Sequence, residues 1–158
     1  MASFARDYPS PLERQFTRFY NPDGQYAHLH KNKSVALIGL SKCHPLLASE
    51  IEKVEFSKAA CSSEALGKRK RGALRLQCNT HLCSVTTSDG KIHRINAQVN
   101  VDLVEVNLRL LQEPRLLVQD PEGAGFLCVG LTRAEPDLSR CFPNFTLSGD
   151  VMKFRPIT

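Results

Sequence analysis

The stretch His81-Leu82-Cys83-Ser84-Val85-Thr86-Thr87-Ser88-Asp89-Gly90-Lys91-Ile92-His93-Arg94-Ile95 decides the fold class. It reads as strand, turn, strand: an extended run from His81 to Thr87, a Ser-Asp-Gly hairpin signal, and a return from Lys91 to Ile95. Ala73 to Cys78 precedes it as a strand, and Val99 to Val106 follows as an alternating one. Beyond that, Asn107 caps a short helix over Leu108 to Glu113, which Pro114 stops. Leu116-Leu117-Val118 leads into the turn Asp120-Pro121-Glu122-Gly123, and Gly125 to Leu131 is a last apolar strand.

Upstream, Tyr26 to His30 alternates and Ser34 to Leu40 is an apolar run suited to a buried strand. Cys43-His44-Pro45-Leu46-Leu47 reads as a turn with an apolar anchor. Ile51 to Phe56 alternates, with Ile51, Lys53 and Glu55 on one face and Glu52, Val54 and Phe56 on the other. The first element reads as a helix. Ser10 is placed to cap it, Pro11 takes the first helical position and Glu13 the third. Leu12, Phe16, Phe19 and Tyr20 share one helical face, with Arg14 and Arg18 on the other side. That face either docks on the core or is offered to a partner's groove. Asn21-Pro22-Asp23-Gly24 ends the element as a turn.

The 158 residues suit one domain, and the 42% hydrophobic content supports a packed core. With no Trp, that core must be built from Leu, Val, Ile and the eight Phe. The start Met1-Ala2-Ser3-Phe4 carries no apolar run of a signal peptide, and nothing approaches the roughly 20 apolar residues of a membrane span. The expectation is an intracellular chain without membrane contact. Cys43, Cys61, Cys78, Cys83, Cys128 and Cys141 then read as thiols, and the Asn144-Phe145-Thr146 sequon as unused. A net charge of +5 favours acidic partners.

Known chemistries leave few traces. His28 and His30 share a strand face, Cys43 adjoins His44, and His81 lies between Cys78 and Cys83. No paired C-x-x-C knuckle accompanies them, so they read as buried thiols and surface histidines. There is no phosphate loop, nucleophile elbow or helical His-Glu-x-x-His. No cysteine–histidine pair is singled out as a nucleophile and base. The expectation is a non-enzymatic chain with no cofactor and no metal. Residues 57–72 form an exposed loop holding Lys68-Arg69-Lys70-Arg71, four cations that repel one another and cannot be buried. Such a run serves nuclear import, contact with a polyanion such as nucleic acid, or simply solvation. It contains no aromatic residue on which bases could stack.

Two resemblances add to this reading. Val104-Glu105-Val106-Asn107, the helix with Pro114, Leu116-Leu117, and Asp120-Pro121-Glu122-Gly123 with Gly125-Phe126-Leu127 resemble the glycine cleavage H-protein family, over roughly Leu82 to Leu131. The resemblance implies a mainly β (α+β) barrel-sandwich hybrid of the biotinyl/lipoyl hammerhead type, spanning about 73–131. With the N-terminal amphipathic helix, the helix near 108–113 and a C-terminal extension over 132–158, the chain is expected to form a single domain, 1–158. Members of that family attach lipoate to a lysine at the hairpin tip. Counting back from Asn107 by their spacing lands on Gly90, with Lys91 one residue further and on the other face. Phe16-Thr17-Arg18-Phe19-Tyr20, Pro22-Asp23, His44-Pro45-Leu46-Leu47 and Lys70-Arg71-Gly72-Ala73 resemble the Abitram (Simiate) family over almost the whole chain. This second resemblance implies an actin-binding protein, for monomer or filament, of nucleus and cytoplasm, with roles in filopodia, neurites and transcription-linked nuclear speckles. Its expected contacts are Lys68, Arg69, Lys70 and Arg71, as partner site or import signal, with Arg14 and Arg18. Nuclear proteins and nucleic acid are further expected partners, the alternative being a lipoyl-carrier-like module.

Overall fold

The computed structural model describes residues 16–30, 35–61, 74–132 and 138–147. Its strands are β1 (Phe16–Tyr20), β2 (Gln25–His30), β3 (Val35–Leu40), β4 (Ile51–Phe56), β5 (Arg75–Leu76), β6 (His81–Thr87), β7 (Ile92–Asn96), β8 (Val101–Val106), β9 (Cys128–Leu131) and β10 (Thr146–Leu147). One-turn helices are α1 (Lys58–Cys61), α2 (Arg109–Gln112), α3 (Leu116–Gln119) and α4 (Leu138–Cys141), with a 3-10 turn over Pro45–Ala48. Seven strands form one antiparallel sheet in the order β10-β1-β2-β3-β9-β8-β5, and three form a second, β4-β6-β7. The mainly β expectation holds.

The first element corrects the expected helix. Phe16–Tyr20 is a strand, paired with β2 from Phe16↔His30 to Tyr20↔Tyr26. A spacing of four residues, as between Phe16 and Tyr20, keeps side chains on one face of a strand as well as of a helix. The turn decides between them. Gly24 adopts φ +90, Gly24 N–H donates to Asn21 O, and Asn21 Oδ1 accepts from Gln25 N–H at 2.8 Å. This tight reversal returns the chain beside itself, where a strand partner satisfies the backbone groups. Leu12 and Arg14 lie outside the described residues.

β4 departs from plain alternation. Ile51, Val54 and Phe56 are its buried residues. A bulge between Ile51 and Lys53 inserts one extra residue, so Ile51 regains the inner face that strict period two denies it. Leu116-Leu117-Val118, which leads into the turn at Asp120, lies in α3, with Leu117 fully buried. The strand expected from Gly125 begins only at Cys128, because Asp120 holds the preceding loop as a turn. Its carboxylate accepts from Ala124 N–H at 2.9 Å and its carbonyl from Gly125 N–H at 2.8 Å. Similarly, of Ala73 to Cys78 only Arg75–Leu76 pairs, against β8. The helix expected over Leu108 to Glu113 is the single turn Arg109–Gln112 with Leu108 at its N-cap position, and Asn107 stands one residue earlier, its Oδ1 accepting from Arg109 N–H at 3.3 Å.

One core joins both sheets. Ala27, Leu29, Ala36 and Ile38 from the large sheet meet Val54, Leu82, Val85 and Ile95 from the small one. Residues 138–147 return to the first strand. β10 pairs with β1, Phe142 is buried against Phe19, and Cys141 is buried within the core.

On the opposite face of the large sheet, Tyr26 lies over Gly39, its cross-strand partner. A Cβ at Gly39 would stand 2.6–2.9 Å from the tyrosine ring and hydroxyl. Tyr26 is completely buried and cannot move aside. Gly39→Ala is therefore expected to destabilise the fold by about 1–3 kcal/mol, the usual range for overpacking, as measured by denaturant unfolding. Unchanged stability would show that the ring is free to shift.

Candidate functional site

Two places combine polar groups with defined geometry: the β6–β7 hairpin tip and a buried cluster around His28. At the tip, Ser88-Asp89-Gly90 form a three-residue loop closed from both sides. Gly90 N–H donates to Thr87 O, and Thr87 N–H donates to Lys91 O at 3.0 Å. Asp89 Oδ1 accepts from the Thr87 hydroxyl and from Lys91 N–H, and these bonds hold its carboxyl below the usual range. Gly90 takes φ +87, as the third position of such a loop demands, and nothing lies within 4 Å of where its Cβ would be. The apex, where the sequence count placed the carrier position, is thus a glycine in open space. Lys91 is exposed and already belongs to the returning segment. It shares a face with His93, whose Nε2 lies 3.3 Å from the Thr87 hydroxyl.

The second place gathers Tyr20 from β1, Tyr26 and His28 from β2, and Glu122 from the loop before β9. His28 is completely buried and stacks on Tyr26 with ring centroids 4.1 Å apart, while Tyr20 meets it edge-on. Glu122 Oε1 lies 2.6 Å from the Tyr20 hydroxyl and 3.0 Å from His28 Nε2. Glu122 Oε2 accepts from Lys42 N–H at 3.3 Å. The Tyr26 hydroxyl donates to Pro121 O at 2.7 Å.

Protonation states follow from these contacts. Burial pushes Glu122 upward, but the bonds from His28 and Tyr20 outweigh it and hold the carboxyl below its ordinary value. An ionised carboxylate only accepts, so Tyr20 O–H and His28 Nε2–H both donate. The imidazole is then neutral, and its Nδ1 is a buried acceptor without a partner. Burial accordingly pushes His28 below its ordinary value against the pull of Glu122. Burial and then Glu122 raise Tyr20, and burial raises Tyr26. Burial also pushes the Cys83 thiol up to about 12, and Cys128 higher still. These tyrosines and thiols stay protonated at neutral pH and are poor nucleophiles. The cluster works as a clamp that fixes loop 120–125 onto the sheet.

Of the residues singled out by sequence, Arg18 sits half-buried on β1, while Arg14 and the run Lys68, Arg69, Lys70 and Arg71 lie outside the described residues. Among the described residues, no group of three or more His, Cys, Asp or Glu is placed to hold a metal ion. No described helix is long and apolar enough to cross a membrane. His28 and His30 do share a face, but the Glu122 clamp escaped the sequence reading. Its members stand 94 and 102 positions apart, and Asp120-Pro121-Glu122-Gly123 announces only a turn.

Stability should fall on acidification. His28 and His44, each pushed below its ordinary 6.5 first of all by burial, gain their protons more readily in the unfolded chain. Their contribution is full above about 6.5 and fades toward their lower folded values. Glu122 adds a loss in the same direction as pH falls below its ordinary 4.5 and through its lower folded value. Chemical unfolding at pH 7.5 and 5.5 is expected to show the drop, and His28→Phe should reduce it while His44 keeps its share. A pH-independent midpoint contradicts the neutral buried imidazole. Intact mass of the protein from its own cells is expected to show no lipoyl group. An added lipoyl mass mapping to Lys91 overturns the reading of the tip.

No family model matches the chain. The chain is 37% identical over 138 residues to protein Abitram of Drosophila melanogaster, covering 84% of this chain and 64% of that one, a little under two thirds of its length. It is 35% identical to protein Abitram of Dictyostelium discoideum, covering 75% and 73%. To protein Abitram of Homo sapiens it is 32% identical, covering 83% and 79%. Among solved structures, a glycine cleavage system H protein from Mycobacterium marinum superposes with a TM-score of 0.60 at 14% identity, covering 85% of this chain and 92% of the other. That likeness shows the barrel-sandwich fold.

Proposed function

Because the chain belongs to the Abitram family, we propose that it is a non-catalytic actin-binding protein of cytoplasm and nucleus, active in actin-rich projections and at transcription-linked speckles. The observation that carries this reading is the similarity itself, which extends over 75–84% of the chain in relatives as distant as an amoeba and a fly. What the sequence motifs imply for that family is actin binding. The net charge of +5 supports it, since an acidic protein surface attracts a basic one. The H-protein-like fold and the Abitram relatives are consistent with a protein that is not an enzyme. The raised tyrosines and thiols support the same view. In this reading Lys68, Arg69, Lys70 and Arg71 act as partner contacts or as an import signal, and Arg14 and Arg18 extend the cationic surface.

Co-sedimentation with actin filaments at rising salt tests it. The protein is expected in the pellet at low salt and released as salt screens the contact. A protein that stays in the supernatant at low salt, and also fails to bind monomeric actin, sinks the proposal.

A further inference from the structure

The small sheet ends in two different edges. β4 is guarded by its bulge, by the exposed ion pair of Lys53 with Glu55 at 3.4 Å, and by α2 packed beside it. Among the described residues β7 carries no ion pair, and the one irregularity of its pairing, between His81 and Cys83, lies on β6. β7 pairs with β6 on one side, and no strand of the described residues pairs with the other. In the large sheet both edges, β5 and β10, are only two residues long.

The ladder fixes which groups face outward. Thr87 N–H bonds to Lys91 O, so the next hydrogen-bonded pair is Val85 with His93. Thr86↔Ile92 and Ser84↔Arg94 are the pairs between, so the N–H and C=O of Ile92 and Arg94 point away from β6. Their side chains share the sheet face turned from the core. Ile92 is 71% exposed, the highest value among the described large hydrophobic residues, and Arg94 is exposed. Arg94 Nε donates to Asn96 Oδ1 at 2.9 Å, which lays the guanidinium along the strand. Lys91 adds a second exposed cation. Asp89, the hairpin's carboxylate, is engaged with Thr87 and with the Lys91 amide.

Natural proteins shorten, bulge or cover edges because a bare one invites pairing. Among the described residues this edge is unpaired, and it offers an alternating row of donors and acceptors, one exposed isoleucine and the cations of Arg94 and Lys91, with the Asp89 carboxylate acting on Lys91. We propose that β7 is a docking edge which takes an extended acidic segment of a partner protein as an added strand. The added backbone bonds to Ile92 and Arg94, an apolar side chain covers Ile92, and carboxylates meet Arg94 and Lys91. A second copy of this chain fits less well, since its own Lys91 and Arg94 would be brought against the same charges. The proposal is independent of the actin reading.

The probe is a fluorescent octapeptide of repeating Val-Glu-Glu-Thr, which as a strand sets valine and glutamate in turn along one face, titrated into the full chain and followed by anisotropy and amide exchange. It is expected to bind, to slow exchange at the Ile92 and Arg94 amides by about tenfold or more, and to weaken by about tenfold with Arg94→Glu. Ile92→Thr, which keeps the strand, should also weaken it and serves if the first variant does not fold. The same peptide methylated on alternate backbone nitrogens, and one with lysine in place of each glutamate, are expected not to bind. The proposal is overturned by absence of binding at millimolar peptide, or by indifference to both substitutions. Protection at the exposed Leu108, Leu111 and Val118 of the helical segment instead of β7 overturns it as well. So does concentration-dependent self-association through β7 that the peptide cannot displace.

Discussion

Everything in the large sheet depends on one four-residue strand finding its slot. Cys128–Leu131 lies between β3 and β8, hydrogen-bonded to both, and so joins the N-terminal hairpins to the second half of the chain. So short a strand carries little preference of its own, and its position is enforced from the loop before it. Glu122 grips His28, Tyr20 and the Lys42 amide. Tyr26 holds Pro121, and Asn107 Nδ2 donates to Ala124 O at 2.8 Å and Phe126 O at 2.9 Å. Leu127 N–H then donates to Ile38 O, and the ladder begins. The half-buried charge of Glu122 is tolerable because three donors meet it, whereas losing one would leave an under-satisfied carboxylate.

That arrangement explains what could be read in advance and what could not. β6, the return from the tip, β2, β3 and β8 announce themselves by local alternation, apolar runs or a turn residue with a fixed conformational demand. The H-protein-like motif order supplied the architecture. Phe16 to Tyr20 was misread because its aromatic spacing satisfies two periods at once, and only the Asn21–Gly24 reversal separates them. The inner face of β4 was blurred by a bulge, which no period contains. The clamp was invisible for a different reason. A carboxylate, a histidine and two tyrosines brought together from distant segments leave no trace in spacing, and each has an ordinary local role as turn or strand residue. Arg18 was visible as a charge; its half-buried place on the outer face of β1 comes only with the fold.

The two polar places of the molecule differ in kind. The cluster around His28 is closed, with its donors spent on the Glu122 carboxylate and the Pro121 carbonyl and its tyrosines held in their protonated forms. The β6–β7 hairpin is open, with a glycine at its apex and, among the described residues, an unpaired edge beyond it. Polar groups that are fully engaged stabilise a fold, and those left exposed can be used by a partner. In this chain the first kind organises the interior and the second faces solvent. That division suits a protein that works through its surfaces.

The late position of β9 has a consequence for synthesis. β3 is complete at Leu40, yet the strand that covers its edge is not made until residues 128–131 have emerged. Until then the emerging chain carries a finished apolar strand with one bare side for the time taken to add some ninety residues, several seconds or more at ordinary elongation rates of about 5–20 residues per second. The large sheet therefore closes only once residues 128–131 exist, and its high share of distant pairings makes that closure slow. Nascent-chain chaperones have that interval in which to act, and a chain truncated before Cys128 has no means of completing its large sheet.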